Sequence, residues 1–118
     1  MSTTQIIARA KTRQVRMLGV TAADTFVVPA GYGISSIYFD ETAGNAITGG
    51  LDLGTTLAGT DVVNSFAITA SLVGSVSQDL ILLRWFSRTV NTTIYVGAGS
   101  SWNSASLNLC VVLDKIVP

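Results

Sequence analysis

The stretch Ser106-Leu107-Asn108-Leu109-Cys110-Val111-Val112-Leu113-Asp114-Lys115-Ile116 decides the fold class. Leu107, Leu109, Val111 and Leu113 fall on one side, and Ser106, Asn108, Cys110 and Asp114 on the other. A period of two is the spacing of a β-strand with one face on a core, because successive side chains point to opposite faces of a sheet.

The same pattern recurs upstream, in short runs separated by Gly, Asn, Thr and Ser, with almost no helical stripe. Thr25–Val28 leads into a Pro29-Ala30-Gly31 turn. From Gly33 to Glu41 the alternation makes Ile37 and Phe39 the core pair, opposite Ile34, Ser36, Tyr38 and Asp40. Ile47–Thr55 points Leu51 and Leu53 inward and Gly50, Asp52 and Gly54 outward, and its Gly49-Gly50 pair predicts a bulge or a close backbone approach. Val62–Thr69 sets Val62, Asn64, Phe66 and Ile68 at alternate positions, Leu72–Val76 is a strand or a loop, and Thr92–Val96 pairs Ile94 with Val96. Leu80–Phe86 is the most apolar run and reads as a segment buried on both faces or a short helix. About seven or eight strands at such spacing are the mark of an all-β sandwich or barrel.

The first residues read differently. Four of the seven basic residues, Arg9, Lys11, Arg13 and Arg16, precede any acid, and the spacing of Ile7, Ala10, Gln14 and Met17 suits a helix while Val15 and Met17 also suit a strand. The sequence therefore divides into a basic arm over residues 1–20 and a β-domain over 21–118, the arm able to dock on an acidic partner surface or on nucleic acid. The chain holds 48% hydrophobic and only 12% charged residues, against roughly 25% charged in an average domain. So little charge predicts that part of the surface faces another chain. The single cysteine, Cys110, excludes an intrachain disulfide and suits a protein made in a reducing cytoplasm. No apolar run approaches the roughly 20 residues of a membrane span, and the N-terminus lacks a secretory pattern, so a chain without membrane association is expected.

Chemistry is sparse. With no histidine, the commonest general base and metal ligand is missing. Cys110 lies mid-strand and reads as an inert thiol in a core or an interface. Asp24, Asp40, Glu41, Asp52, Asp61, Asp79 and Asp114 read as scattered turn acids, and no zinc or calcium pattern occurs. No catalytic, cofactor-binding or metal-binding residues are assigned, and an enzyme is not expected. Aromatic rings could stack on the apolar face of a sugar, the candidates being Tyr32, Tyr38, Trp85, Tyr95 and Trp102. Trp85 sits in an apolar run and reads as core. Trp102 and Tyr95 stand as subunit-contact or glycan-stacking candidates, Trp102 reading first as a packing residue that plugs one end of the fold.

The order VPAGY (28–32), ITGGLDLGTT (47–56), GTDVV (59–63), LLRWFS (82–87) and WNSASLNLCVVL (102–113) resembles a group of small tailed-bacteriophage virion proteins, over roughly residues 25–117. The resemblance implies an antiparallel, jelly-roll-like β-sandwich acting by assembly: a capsid decoration, or cement, protein on the outer capsid surface of the virion. It further implies a homotrimer bound to the major capsid protein. The arm lies outside the resemblance; on their charge, Arg9, Lys11, Arg13 and Arg16 stand as capsid-contact candidates, and no small-molecule substrate, cofactor or direct nucleic-acid contact is expected. The alternatives are a carbohydrate-binding module of a phage head or tail fibre, and a tail or baseplate adaptor.

Overall fold

The computed structural model describes residues 3–8, 12–83 and 89–116. Nine strands are found among them: β1 Thr3–Ala8, β2 Thr12–Val20, β3 Asp24–Val28, β4 Tyr32–Glu41, β5 Ile47–Gly54, β6 Val63–Ile68, β7 Val73–Val76, β8 Thr92–Ala98 and β9 Leu107–Lys115. They form one sheet in the order β1-β2-β9-β4-β7 and a second in the order β3-β8-β5-β6. Strand β2 pairs with β9, β3 with β8, β4 with β7 and β5 with β6, every pair antiparallel. Such nesting is one long antiparallel ribbon rolled over itself, the eight-stranded jelly roll. Strand β1 is an addition on the β2 edge.

Residues 3–8 and 12–20 are not an arm apart from the body. Strand β2 is hydrogen-bonded on both sides, to β1 and to β9, and buries Val15, Met17 and Val20 in the core. Its alternation was masked in the sequence by a bulge between Met17 and Val20, where Gly19 takes a φ of +70° and donates its N–H to Asn108 Oδ1 at 2.9 Å. The bulge shifts the buried position from every second residue to the third, so a strand of nine residues does not read as one.

The core lies between the sheets. Leu107, Leu109, Val111 and Leu113 all face it, as their alternation requires, opposite Leu51 and Leu53 of β5 and Ile94 and Val96 of β8. Ile37 and Phe39 are buried as expected, but so is Ile34, because a register shift between Ile34 and Ser36 turns both ends of β4 inward. Phe39 meets Phe66 of the other sheet edge-to-face, ring centroids 5.4 Å apart. The even alternation expected over Val62–Thr69 is broken: Val62 and Val63 are both buried, and Ser65 adopts a φ of +52°.

The run starting at Leu80 departs furthest from its pattern. Gln78–Leu80 is a single 3₁₀ turn, and among the described residues of the run only Ile81 enters the core, while Leu80 and Leu82 are 48% and 60% exposed. The Leu82 N–H is taken by Val62 O, which holds the segment across the end of the second sheet rather than between the sheets. Trp85, with the rest of Arg84–Arg88, lies outside the described residues.

One carboxylate organises the end of the sandwich where β4 stops. Glu41 is buried, and its Oε1 accepts N–H bonds from Gly44 (2.7 Å), Asn45 (3.0 Å) and Ser71 (2.9 Å), its Oε2 from Ala43 (2.9 Å) and Ser106 (3.1 Å). Three separate connections, β4–β5, β6–β7 and the approach to β9, thus converge on one side chain. Burial opposes ionisation, but the N–H groups of Ser71, Ser106, Ala43 and Gly44 outweigh it and lower the carboxyl from an ordinary 4.5 to about 2. An ionised carboxylate is acceptor-only, which is what five converging donors demand.

A folded-state value below the unfolded one means that Glu41 stabilises the protein above about pH 4.5 and progressively less as the pH falls through about 2. Glu41→Gln sets an amide NH₂ against N–H donors. It is expected to lower the Tm at neutral pH by on the order of 10 °C and to flatten the acid limb of a Tm-against-pH curve. Calorimetry of both proteins between pH 2 and 7 checks this.

Candidate functional site

Aspartate is disfavoured inside strands, yet Asp52 stands mid-strand between the buried Leu51 and Leu53. It points to the outer face of the second sheet and is nevertheless only 8% exposed. Two loops cover it.

The first is the β5–β6 connection. Asp61 closes it by accepting from Thr55 N (2.8 Å) and Oγ1 (2.6 Å), and these bonds, the side-chain one first, hold the Asp61 carboxyl below the usual range. The backbones of Gly54 and Gly59 touch so closely that a Cβ on Gly54 would overlap Gly59. The second is the segment after β8. Gly49 and Gly50, at φ of +81° and +82°, bulge out of β5 against it, with Gly99 N bonded to Gly50 O (2.8 Å) and Ser100 N to Thr48 O (2.9 Å). The Gly49-Gly50 pair is thus both a bulge and a close backbone approach, as its sequence requires.

Between the loops lies a cavity of about 330 Å³, lined by Asp24, Thr25, Asp52, Tyr95, Gly97 and Trp102 among others. The two aromatic candidates taken from the sequence therefore share one site. Tyr95 reaches it because Ile94 and Val96 on either side face the core. Trp102 is half-buried and packs partly on the core. Its orientation is fixed by the turn it opens: Ala105 N donates to Trp102 O at 2.8 Å, and Asn103 and Ser104 take φ of +51° and +59°, the two successive left-handed residues of a type I′ turn. Asn45 Nδ2, bonded to Ser104 O at 3.1 Å, ties this turn to the loop that Glu41 gathers.

The basic candidates are dispersed. Arg9 and Lys11 lie outside the described residues. Arg13 shares the inward parity of Val15 and stacks its guanidinium over Tyr32, 4.8 Å from the ring centroid, its Nε buried without a hydrogen-bond partner. It serves the end of the core. Arg16 is exposed on the outer face of the first sheet, in a shallow hollow with Leu18, Tyr38, Asp40, Asn108 and Cys110. Cys110 is half-buried there, its Sγ 4.0 Å from Gln14 Oε1.

Sequence reasoning missed Asp52 and Asp24 as site residues and Glu41 as a fold residue, all three read as turn acids. For Asp52 a signal existed, since a carboxylate flanked by inward leucines is in a strand and needs a reason to be there.

The glycines that shape the site are separable by substitution. A Cβ on Gly99 would overlap the Gly49 carbonyl, whereas one on Gly97 meets nothing within 4 Å. Gly99→Ala is expected to cost about 2 kcal/mol or more and Gly97→Ala less than about 0.5 kcal/mol in denaturant unfolding. Comparison of the chain with protein-family models, with curated proteins and with solved structures finds no match to any of them.

Proposed function

We propose that this chain is a non-enzymatic virion structural protein: a capsid decoration protein that binds the outer surface of the shell as a homotrimer and braces it. The observation that carries the reading is the outer face of the five-stranded sheet. Across β2, β9, β4 and β7 that face presents Leu18, Cys110, Val112, Tyr38 and Val73, interrupted by few charges, among them Arg16 and Asp40. Tyr38 is 50% exposed and Val73 72%. A broad sheet face with so few charges is the kind of surface that homomeric contacts cover, the apolar residues supplying adhesion and the isolated charges register. Jelly-roll topology supports the same reading only as a scaffold, since the fold serves many functions. The sequence resemblance to phage virion proteins supplies the identity of the shell.

Placing β2 inside the sheet changes how capsid contact must be tested. Removing residues 1–16 would delete β1 and much of a core strand, so a loss of binding would report unfolding. Charge reversal at exposed Arg16 leaves the core untouched. Light scattering after size exclusion is expected to give a trimer for the wild type and a smaller species for the Leu18→Glu/Tyr38→Glu double variant. Arg16→Glu is expected to weaken co-sedimentation with capsid shells of the encoding phage without altering the Tm. A wild-type protein that is monomeric and stays in the supernatant with those shells overturns the reading.

A further inference from the structure

We infer that the cavity between the β5–β6 loop and the Trp102 turn is a binding site for a neutral saccharide, one pyranose unit deep. The inference stands independently of any role on a capsid. Three observations carry it. The first is the juxtaposition of Tyr95 and Trp102 in one cavity, giving aromatic rings against which the C–H face of a sugar can lie. The second is Asp52, 92% buried by its 8% exposure, which spends Oδ1 on Ser65 N (2.6 Å) and Ser65 Oγ (3.4 Å). No described residue holds its Oδ2, so this second carboxylate oxygen is open to the cavity and can accept from whatever fills it. The third is Gly97, which lines the cavity on the outer face of β8 and leaves the space above its Cα open.

The chemistry of the lining selects the ligand class. Among the described residues the Asp52 carboxylate and no cationic side chain line the site, which disfavours phosphates, sulfates and acidic sugars. Asp52 calls for a donor, and Thr25 and Ser100 add hydroxyls that both donate and accept. A molecule with hydroxyl donors on its rim and an apolar face matches this set. At about 330 Å³ the cavity lies at the small end of ligand pockets, which suits a single ring with the rest of a glycan outside. A small ammonium ligand would also seek carboxylates and rings. The site favours a sugar because its remaining wall is apolar and uncharged, Ala23, Leu57, Ala58, Val96, Gly97 and Ala98, a surface for a ring face rather than an aromatic cage around a point charge.

The test is saturation-transfer NMR and calorimetric titration of the full chain with the methyl glycosides of glucose, galactose, mannose, N-acetylglucosamine and rhamnose, with choline and lysine alongside. At least one glycoside is expected to bind, its ring protons receiving saturation from aromatic protons. Asp52→Asn and Trp102→Ala are each expected to weaken that binding by roughly tenfold or more. Because Trp102 also packs on the core, Gly97→Leu is the decisive variant: it fills the cavity from an open position, so binding is expected to vanish with the Tm unchanged. Failure of all five glycosides to bind, undiminished binding by Gly97→Leu, or preference for choline or lysine overturns the inference. Trimer formation and capsid binding are read in separate experiments, so their failure leaves this result intact.

Discussion

The carboxylate of Glu41 is the point on which the rest of the molecule depends. A jelly roll joins strands that are distant in sequence, so the connections at each end must be brought together by something other than neighbouring residues. Here five backbone N–H groups from three connections share one buried acceptor. Of the donor residues, Asn45 and Ser106 are half-buried, and an N–H left there without a partner would oppose folding. The arrangement also sets the start of β9: Ser106 N binds Glu41 while Ser106 O accepts from Thr42 N at 2.8 Å, fixing the phase in which Leu107 meets the core. A shift of one residue there would turn the whole row from Leu107 to Leu113 outward.

The candidate site follows from that constraint and from a second one, the glycine crossing. Bulging β5 at Gly49 and Gly50 lets the segment from Gly99 to Ser101 lie directly on its backbone, and this lifts the chain over the outer sheet face instead of along it. Trp102 comes next and closes over the face where Asp52 and Tyr95 stand. The outer face of this sheet is thereby roofed, and a residue that β-alternation would leave in solvent becomes buried. Fold and site thus share their structural elements: the Trp102 turn is anchored through Asn45 and Ser104 to the same loop whose N–H groups bind Glu41.

How much of this could be read in advance depended on regularity. The strand from Leu107, the inward leucines of β5 and the Gly49-Gly50 bulge were legible because each rests on local rules: period two, and the freedom of glycine at positive φ. Strand β2 was hidden by its own bulge and by cations at Arg13 and Arg16, one of which stacks inward on Tyr32 while the other points out. The apolar run at Leu80–Leu83 misled in the opposite sense, since hydrophobicity alone does not say which side of an end connection is covered. The pairing of Tyr95 with Trp102 was legible only as two separate rings. Their meeting depends on a long-range crossing between residues 48–50 and 99–101, which no local pattern encodes.

The unequal widths of the two sheets complete the account of the surface. Ile6 and Val15 are register partners on the same face, yet Val15 is 1% exposed and Ile6 59%. The four-stranded sheet therefore covers β2 and stops short of β1, which overhangs the core with an apolar side chain on its inner face. Exposed apolar side chains stand on the overhang and on the outer face of the five-stranded sheet, among them Ile6, Leu18, Tyr38 and Val73, whereas the carboxylates Asp24 and Asp52 and the ring of Tyr95 belong to the opposite sheet. Assembly through one sheet would leave the other free, because the core separates the two faces and neither borrows a side chain from the other. A protein with this division can be held by its neighbours on one side and meet a ligand on the other.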